Sequence, residues 1–463
     1  MSGAHATGPE IRPLVMKFGG TSVADAACLR RVGALVKAAL PQAPLVVLSA
    51  ASKVTDRLFA AAHAAAGGDL KGALATFEDL RARHRLIAAE LLGPEAPTAA
   101  AALDARFASL EALLRSAALV REATPAALDA IVSCGERFST ILFAAHLADE
   151  GVPTFLLPAE EVMRTDARHG AAQPRLDVIR ALAAERLRPR LGPGRAVVTQ
   201  GYLGAAEDGQ TTTLGRGGSD YSAAIFGGAL PASEVQIWTD VEGVLTADPR
   251  IVPEALPIAE ASFAEAAELA AFGAKVLHPA TIQPAADRGV PVTVRHTERP
   301  EGRFTRITRE GGSGRPVTSL ATRGPVTVVT ATSTRMLNQP GFLAKLFEVF
   351  GRLGVSVDVV ATAEVSVSMT IEADAPVDEL RRELAPFAHA EFYPGRAIVA
   401  VVGERLKRTP GNAAKILAAA GEDVVEMISM GANEINLTLV VPRERAHDVV
   451  RRLHRELIEG RGP

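Results

Sequence analysis

A series of short apolar runs separated by amphipathic stretches constrains the first 300 residues most strongly. Leu14–Phe18, Leu45–Ser49, Ala130–Ser133, Thr154–Leu157, Ala196–Gln200, Val235–Thr239 and Val290–Val294 have the length and β-branched character of buried strands. Ala26–Leu40, Arg137–Glu150 and Leu176–Arg188 between them carry apolar residues at helical spacing. Strands alternating with helices predict an α/β layer fold with a largely parallel sheet, whose ligands sit at the carboxyl ends of its strands. Residues 56–121 are helical throughout in pattern, an insertion that is either a substrate-side lid or a plain helical bulge. Hydrophobic residues make up 48% of the 463, ample for packed cores in two or three domains.

The strand ends carry the chemistry. Lys17-Phe18-Gly19-Gly20 closes the first strand with a cation and two glycines. Glycine N–H groups and a following helix N-terminus suit a phosphate, although a structural βα turn has the same outline. The lysine precedes the glycines, so this is not the G-x-x-x-x-G-K-[ST] loop. Ser49 to Thr55 follows the second strand. Glu136, just after Ser133-Cys134-Gly135, can bind an amine or simply favour a helix dipole. Thr211 to Tyr221 packs Gly215, Gly217 and Gly218 around Arg216, a planar fork for a carboxylate. Asp220 follows as an active-site charge or a helix cap. Thr239-Asp240 ends another strand, Arg250 lies in Thr246-Ala247-Asp248-Pro249-Arg250, and Lys275 lies beside a glycine. His278, before a proline, reads as structural.

Residues 298–316 lose their apolar content and read as a linker. Beyond them a β-α-β-β pattern occurs twice. Pro340-Gly341 recurs as Pro410-Gly411, and Val365–Ile371 as Ile435–Val441, both at a spacing of 70. The repeat predicts a duplicated ferredoxin-like domain. The net charge of −3 gives no field for nucleic acid. No run approaches the roughly 18 apolar residues of a membrane span. Two distant cysteines, Cys28 and Cys134, suggest a reduced, cytoplasmic protein, and no histidine or cysteine pair shows metal-ligand spacing.

The motifs in order, KFGGTSV at 17–23, TTTLGRGGSDY at 211–221, WTDVEGV at 238–244, TADPR at 246–250 and FGAKVLHP at 272–279, resemble the aspartate kinases of the amino-acid-kinase family. The resemblance covers nearly the whole chain and is greatest to the lysine-sensitive, single-function branch. It implies a three-layer α/β/α catalytic domain over 13–297, with the insertion at 56–121, after an arm at 1–12. A linker over 298–325 and ACT units over 326–396 and 397–463 would follow. It implies ATP as co-substrate, with Mg²⁺ carried on the nucleotide, and transfer to the β-carboxylate of L-aspartate. Lys17 and Asp220 would be catalytic. Lys17, Phe18, Gly19, Gly20, Thr239, Asp240, Leu245, Arg250, Lys275 and Val276 would bind ATP. Leu245 stands where the family often has tyrosine, so an aromatic contact to adenosine is lost or replaced. Ser49, Thr55, Glu136, Arg216, Gly217, Gly218 and Ser219 would hold aspartate. An amino-acid effector, lysine being favoured, would bind at Met336, Gly341, Phe342, Leu343, Val357, Asp358, Thr362, Ala363, Glu364 and Val365. The ACT units would join subunits in a homodimer or homotetramer.

Overall fold

The structure, a computed structural model, describes residues 11–272, 279–312, 314–337, 339–431 and 434–460. It divides into two compact units, Met1–Gly243 with Leu277–Gly311, and Val244–Val276 with Gly312–Pro463.

In the first unit the sheet order is Thr154–Leu157, Ala196–Gln200, Leu45–Leu48, Leu14–Phe18, Glu234–Thr239, Val292–His296, Thr305–Thr308. All neighbours are parallel except the last pair. Leu14–Phe18 and Leu45–Leu48 are wholly buried, as continuous apolar runs in a sheet covered on both faces should be. Most expected strands occur within two residues of their predicted places. Ala130–Ser133 does not: it ends a helix, Pro125–Val132. Thr124 caps that helix by accepting from the Ala127 N–H at 3.2 Å, and Pro125 presets its first turn. Local capping thus overrides a four-residue apolar run too short to specify its own period.

The insertion is three helices, Val54–Ala66, Leu70–Leu91 and Ala96–Val120. An aromatic cluster joins the second and third of them to the helix Cys134–Asp149, which carries Glu136. Phe107 stacks on Phe138 with ring centroids 4.3 Å apart, and His84 lies 4.8 Å from Phe138. Burial depresses the His84 pKa from 6.5 to about 4, so the native state holds this ring neutral. The contribution is present above about pH 6.5 and is lost as pH falls toward 4.

The second unit has a six-stranded antiparallel sheet, in the order Val357–Thr362, Ser366–Glu372, Ser319–Thr332, His389–Val402, Asn436–Pro442, Met427–Met430. The repeat is visible in three dimensions. Gly341 and Gly411 each occupy the left-handed N-cap of a helix, at φ 86° and 81°. The paired strands Ser366–Glu372 and Asn436–Pro442 keep the same spacing.

Three expected boundaries differ. The two central strands are 14 residues each and run through positions 326 and 397 without a break. Residues 319–323 pair with 398–402, so the second copy takes a strand that precedes the first copy in the chain. Residues 298–325 are not a free linker, because Thr305–Thr308 pairs with Val292–His296 and Ser319 already begins a central strand. Residues 244–272 belong with the C-terminal unit. Ala247, Ile251 and Val252 join its core, and Thr246 Oγ1 lies 2.9 Å from His454 Nε2. No local composition signals these exchanges, since each is a long-range pairing. The strand expected over Asp423–Met427 lies instead at Met427–Met430, and that over Val355–Val359 at Val357–Thr362. The expected arm lies outside the described residues up to Glu10.

Candidate active site

A cleft of about 720 Å³ opens at the carboxyl edge of the first unit's sheet. Lys17, Gly19, Gly20, Ser49, Thr55, Glu136, Arg216, Gly217, Gly218, Ser219, Asp220, Thr239 and Asp240 all line it. These residues span more than 220 positions of sequence, and the crossovers of a parallel sheet bring them together. Phe18 lies beneath, fully buried and stacked on Trp238 at 5.9 Å. Lys17 is nearly buried, and its Nζ lies 2.6 Å from Asp220 Oδ1.

The glycine pair works differently from the expectation. The Gly19 N–H is committed to Trp238 O at 3.2 Å and is not free for a phosphate. Gly20 opens a 3₁₀ turn, Gly20–Val23, and a Cβ there would lie 2.8 Å from Ala50 O. The second glycine is therefore required by the close approach of the Ser49–Thr55 loop. The helix that follows starts only at Ala26, and Asp25 caps it by accepting from the Cys28 N–H at 2.8 Å. The helix end that enters the cleft belongs to Gly218–Ala229. Its N-cap, Gly217, sits at φ 74° and has no side-chain cap; the Gly218 N–H is taken by Gly215 O at 3.0 Å, which leaves the N–H groups of Ser219 and Asp220 to an anion.

Glu136 is the unusual group. It is 3% exposed; Oε1 accepts from the Ala50 N–H at 3.1 Å, while buried Oε2 has no partner. Burial is the main cause that raises its pKa from 4.5 to about 8. A buried carboxylate short of one partner at a cleft wall is suited to an ammonium group.

Leu245 and Arg250 belong to the second unit, where Arg250 forms a forked pair with Asp248 at 2.6 Å. Lys275, Val276 and His278 lie outside the described residues. Lys53 and Tyr202 also line the cleft and have backbone φ of 65° and 69°, rare for non-glycine residues. Lys53 lies within a stretch that sequence reading singles out; Tyr202 has no sequence signal beyond following a strand. Burial pushes the Tyr202 phenol up to about 12.

In the second unit, Ser333 N donates to Val365 O at 2.8 Å, joining the Thr334–Met336 turn to the Thr362–Val365 turn. Gly341, Phe342 and Leu343 begin the next helix, and Val357 and Asp358 begin a strand. Ala363 and Glu364 lie in the exposed turn. Asp358 already has a cation: Arg323 Nη1 lies 2.9 Å from its Oδ1 and Nη2 also reaches Glu372.

A parallel sheet ending in a glycine-lined cleft that holds Lys17, Lys53 and Arg216, with a helix N-terminus inside it, has the make-up of a phosphoryl-transfer protein. Residues 12–296 match the amino acid kinase family, and residues 399–457 match the ACT domain. Lysine-sensitive aspartokinase 3 of Escherichia coli is 38% identical over 96% of this chain and 99% of its own. The E. coli aspartokinase III structure with aspartate and ADP aligns at a TM-score of 0.81, and the form with lysine and aspartate at 0.80. Each covers 96% of this chain and 99% of that one, at 38% identity. The chain belongs to the amino acid kinase family, and its full-length relatives place it among the aspartokinases. Among the described residues, no helix is long and apolar enough to cross a membrane.

Proposed function

We propose that the cleft transfers the γ-phosphoryl group of ATP to the β-carboxylate of L-aspartate. The product, 4-phospho-L-aspartate, would enter lysine, threonine and methionine synthesis in the cytoplasm. The observation that carries this reading is the unpaired, buried Glu136 oxygen in the same cleft as Lys17. It provides for an amine-bearing acceptor beside a phosphate cradle. Arg216 would take the α-carboxylate, with Ser49, Thr55 and Ser219 completing the acceptor side. Thr239 and Asp240 would meet the nucleotide.

The nucleophile needs no general base. A β-carboxylate has a pKa of about 3.9 and is ionised at neutral pH. Its oxygen attacks the γ-phosphorus, the bond to the bridging oxygen of ADP breaks, and no proton moves. The barrier is charge: an anion must approach a polyanion. Lys17, oriented by Asp220, and the N-terminus of Gly218–Ala229 stabilise negative charge on the transferring group. Mg²⁺ carried on the nucleotide would supply further neutralisation of the phosphate charge. Purified protein given Mg-ATP, aspartate and hydroxylamine is expected to yield aspartyl hydroxamate, and little product with glutamate. Equal turnover of glutamate would overturn the assignment of acceptor.

Binding should also be coupled to protons. Without ligand, Glu136 is held neutral below about pH 8, and its contribution to stability falls as pH rises from 4.5 toward 8. An ammonium group reverses this by favouring the carboxylate. Aspartate binding at pH 7 is therefore expected to release close to one proton. Calorimetric heats in buffers of differing ionisation enthalpy should vary accordingly, and a buffer-independent heat would count against Glu136 as the amine ligand.

The C-terminal unit supplies the regulatory part of the proposal: lysine inhibits through the Met336–Val365 region, its ammonium meeting Asp358 with Glu364 nearby. The E. coli relative is named lysine-sensitive, and one of its structures contains lysine. The exposed apolar side chains Val360, Ile428 and Met430 on the two edge strands of the sheet support assembly into a homodimer or homotetramer. Arg323 competes with the effector's ammonium for the Asp358 carboxylate. Arg323→Ala is therefore expected to lower the lysine concentration for half-inhibition about two- to five-fold, the scale of a partly exposed ion pair. Asp358→Ala should abolish inhibition. Unchanged inhibition in Asp358→Ala would remove Asp358 from the effector site.

A further inference from the structure

Asp129 is a buried carboxylate that the transfer reaction does not use. It is 2% exposed and lies on the helix Pro125–Val132, directly before the helix that carries Glu136. Its oxygens meet donors of three residues, His169, Gly170 and Thr213. Thr213 Oγ1 donates to Oδ1 at 2.6 Å, and Thr213 N to Oδ2 at 3.1 Å. Gly170 N is shared between the two oxygens at 3.1 and 3.0 Å, and His169 Nδ1 lies 2.9 Å from Oδ2.

Each partner leads to the cleft. Thr213 ends the strand Thr211–Thr213, one residue before Leu214-Gly215-Arg216. Gly170 itself lines the cleft, and a Cβ on Gly215 would lie 3.2 Å from its carbonyl. Ala172 N donates to Thr213 O at 2.9 Å, closing the 169–172 segment onto the same strand. A single side chain thus connects the approach to Glu136, the wall at Gly170 and the strand that launches Arg216. A charged carboxylate with this many donors is a strong, directional clamp in a buried setting.

We infer that Asp129 is a positioning residue for the acceptor amino acid, holding the Glu136 helix and the Arg216 loop at the separation that fits its ammonium and α-carboxylate. The inference rests on the proposed roles of Glu136 and Arg216. It predicts a selective defect: the acceptor side loosens while the Lys17 side stays intact. In Asp129→Asn either orientation of the amide turns an NH₂ toward at least one existing donor, so the clamp opens without a change of volume.

Steady-state kinetics of the full-length chain tests this. Asp129→Asn is expected to raise the KM for aspartate about ten-fold or more and to leave the KM for ATP within about two-fold. Thr213→Val, which removes the Oγ1 hydroxyl shared by Asp129 and Tyr202 while keeping the side-chain volume, should show the same split, and Thr213→Ser should restore the parent values. Thr213→Val and Thr213→Ser decide the matter if Asp129→Asn does not fold. Equal rises in both KM values, or parent kinetics in Thr213→Val, would overturn the inference. Glu136→Gln and Arg216→Ala run alongside. If neither changes the KM for aspartate, the acceptor-site reading itself fails. If they do and the clamp variants do not, only the role of Asp129 falls.

Discussion

Lys17→Ala protein, given Mg-ATP, aspartate and hydroxylamine, is expected to form hydroxamate at no more than about one-thousandth of the parent rate. The expectation follows from where the charge lies. Transfer from a phosphoanhydride to an ionised carboxylate has no proton to move, so stabilisation of the transferring phosphoryl group is the main task left to the protein. Lys17 is the nearly buried cation of the cleft, positioned by Asp220 at 2.6 Å. Low local dielectric strengthens its effect beyond that of an exposed lysine. Lys17→Arg should recover part of the rate, because the charge returns on a longer, planar group. A Lys17→Ala rate within ten-fold of the parent would assign the stabilisation elsewhere, to the N-terminus of Gly218–Ala229 or to the metal.

Glu136→Gln is expected to separate stability from function. The KM for aspartate should rise about 100-fold, the cost of leaving an ammonium without its buried counter-charge. The ATP KM should not follow. Yet the ligand-free variant should unfold at a higher temperature than the parent at pH 8, because a buried carboxylate partly ionised at that pH is replaced by a neutral amide. Glutamine keeps an oxygen for the Ala50 N–H, so the local packing survives. A variant with lower stability and unchanged aspartate affinity would show that Glu136 only closes the wall of the cleft.

Most of the cleft was legible in the chain because its residues sit at strand ends. Lys17, Gly19, Gly20, Ser49, Arg216 to Asp220, Thr239 and Asp240 each follow an apolar run or a glycine cluster, and the carboxyl edge of a parallel sheet gathers such positions. Glu136 was legible by motif but not by mechanism. Its preceding run is helical, and its raised pKa arises from burial that no local pattern encodes. The glycines illustrate the same limit. Gly20 is explained by Ala50, thirty residues on, and the helix dipole in the cleft comes from Gly218 rather than from the helix at Ala26.

Asp129 and Arg323 had no local signature, since each acts through partners 35 to 84 positions away. The expected linker failed for a related reason: polar composition marks exposure, and Thr305–Thr308 meets the ladder at the sheet's antiparallel end. Periodicity, glycine and charge act locally, so the alternating α/β layers, the duplicated C-terminal domain and the set of strand-end residues are readable from the chain alone. How the repeats exchange a strand, which helix end enters the cleft and which cation holds Asp358 emerge in the folded molecule. Those outcomes depend on pairings between distant segments, whose energies no neighbouring residues reveal.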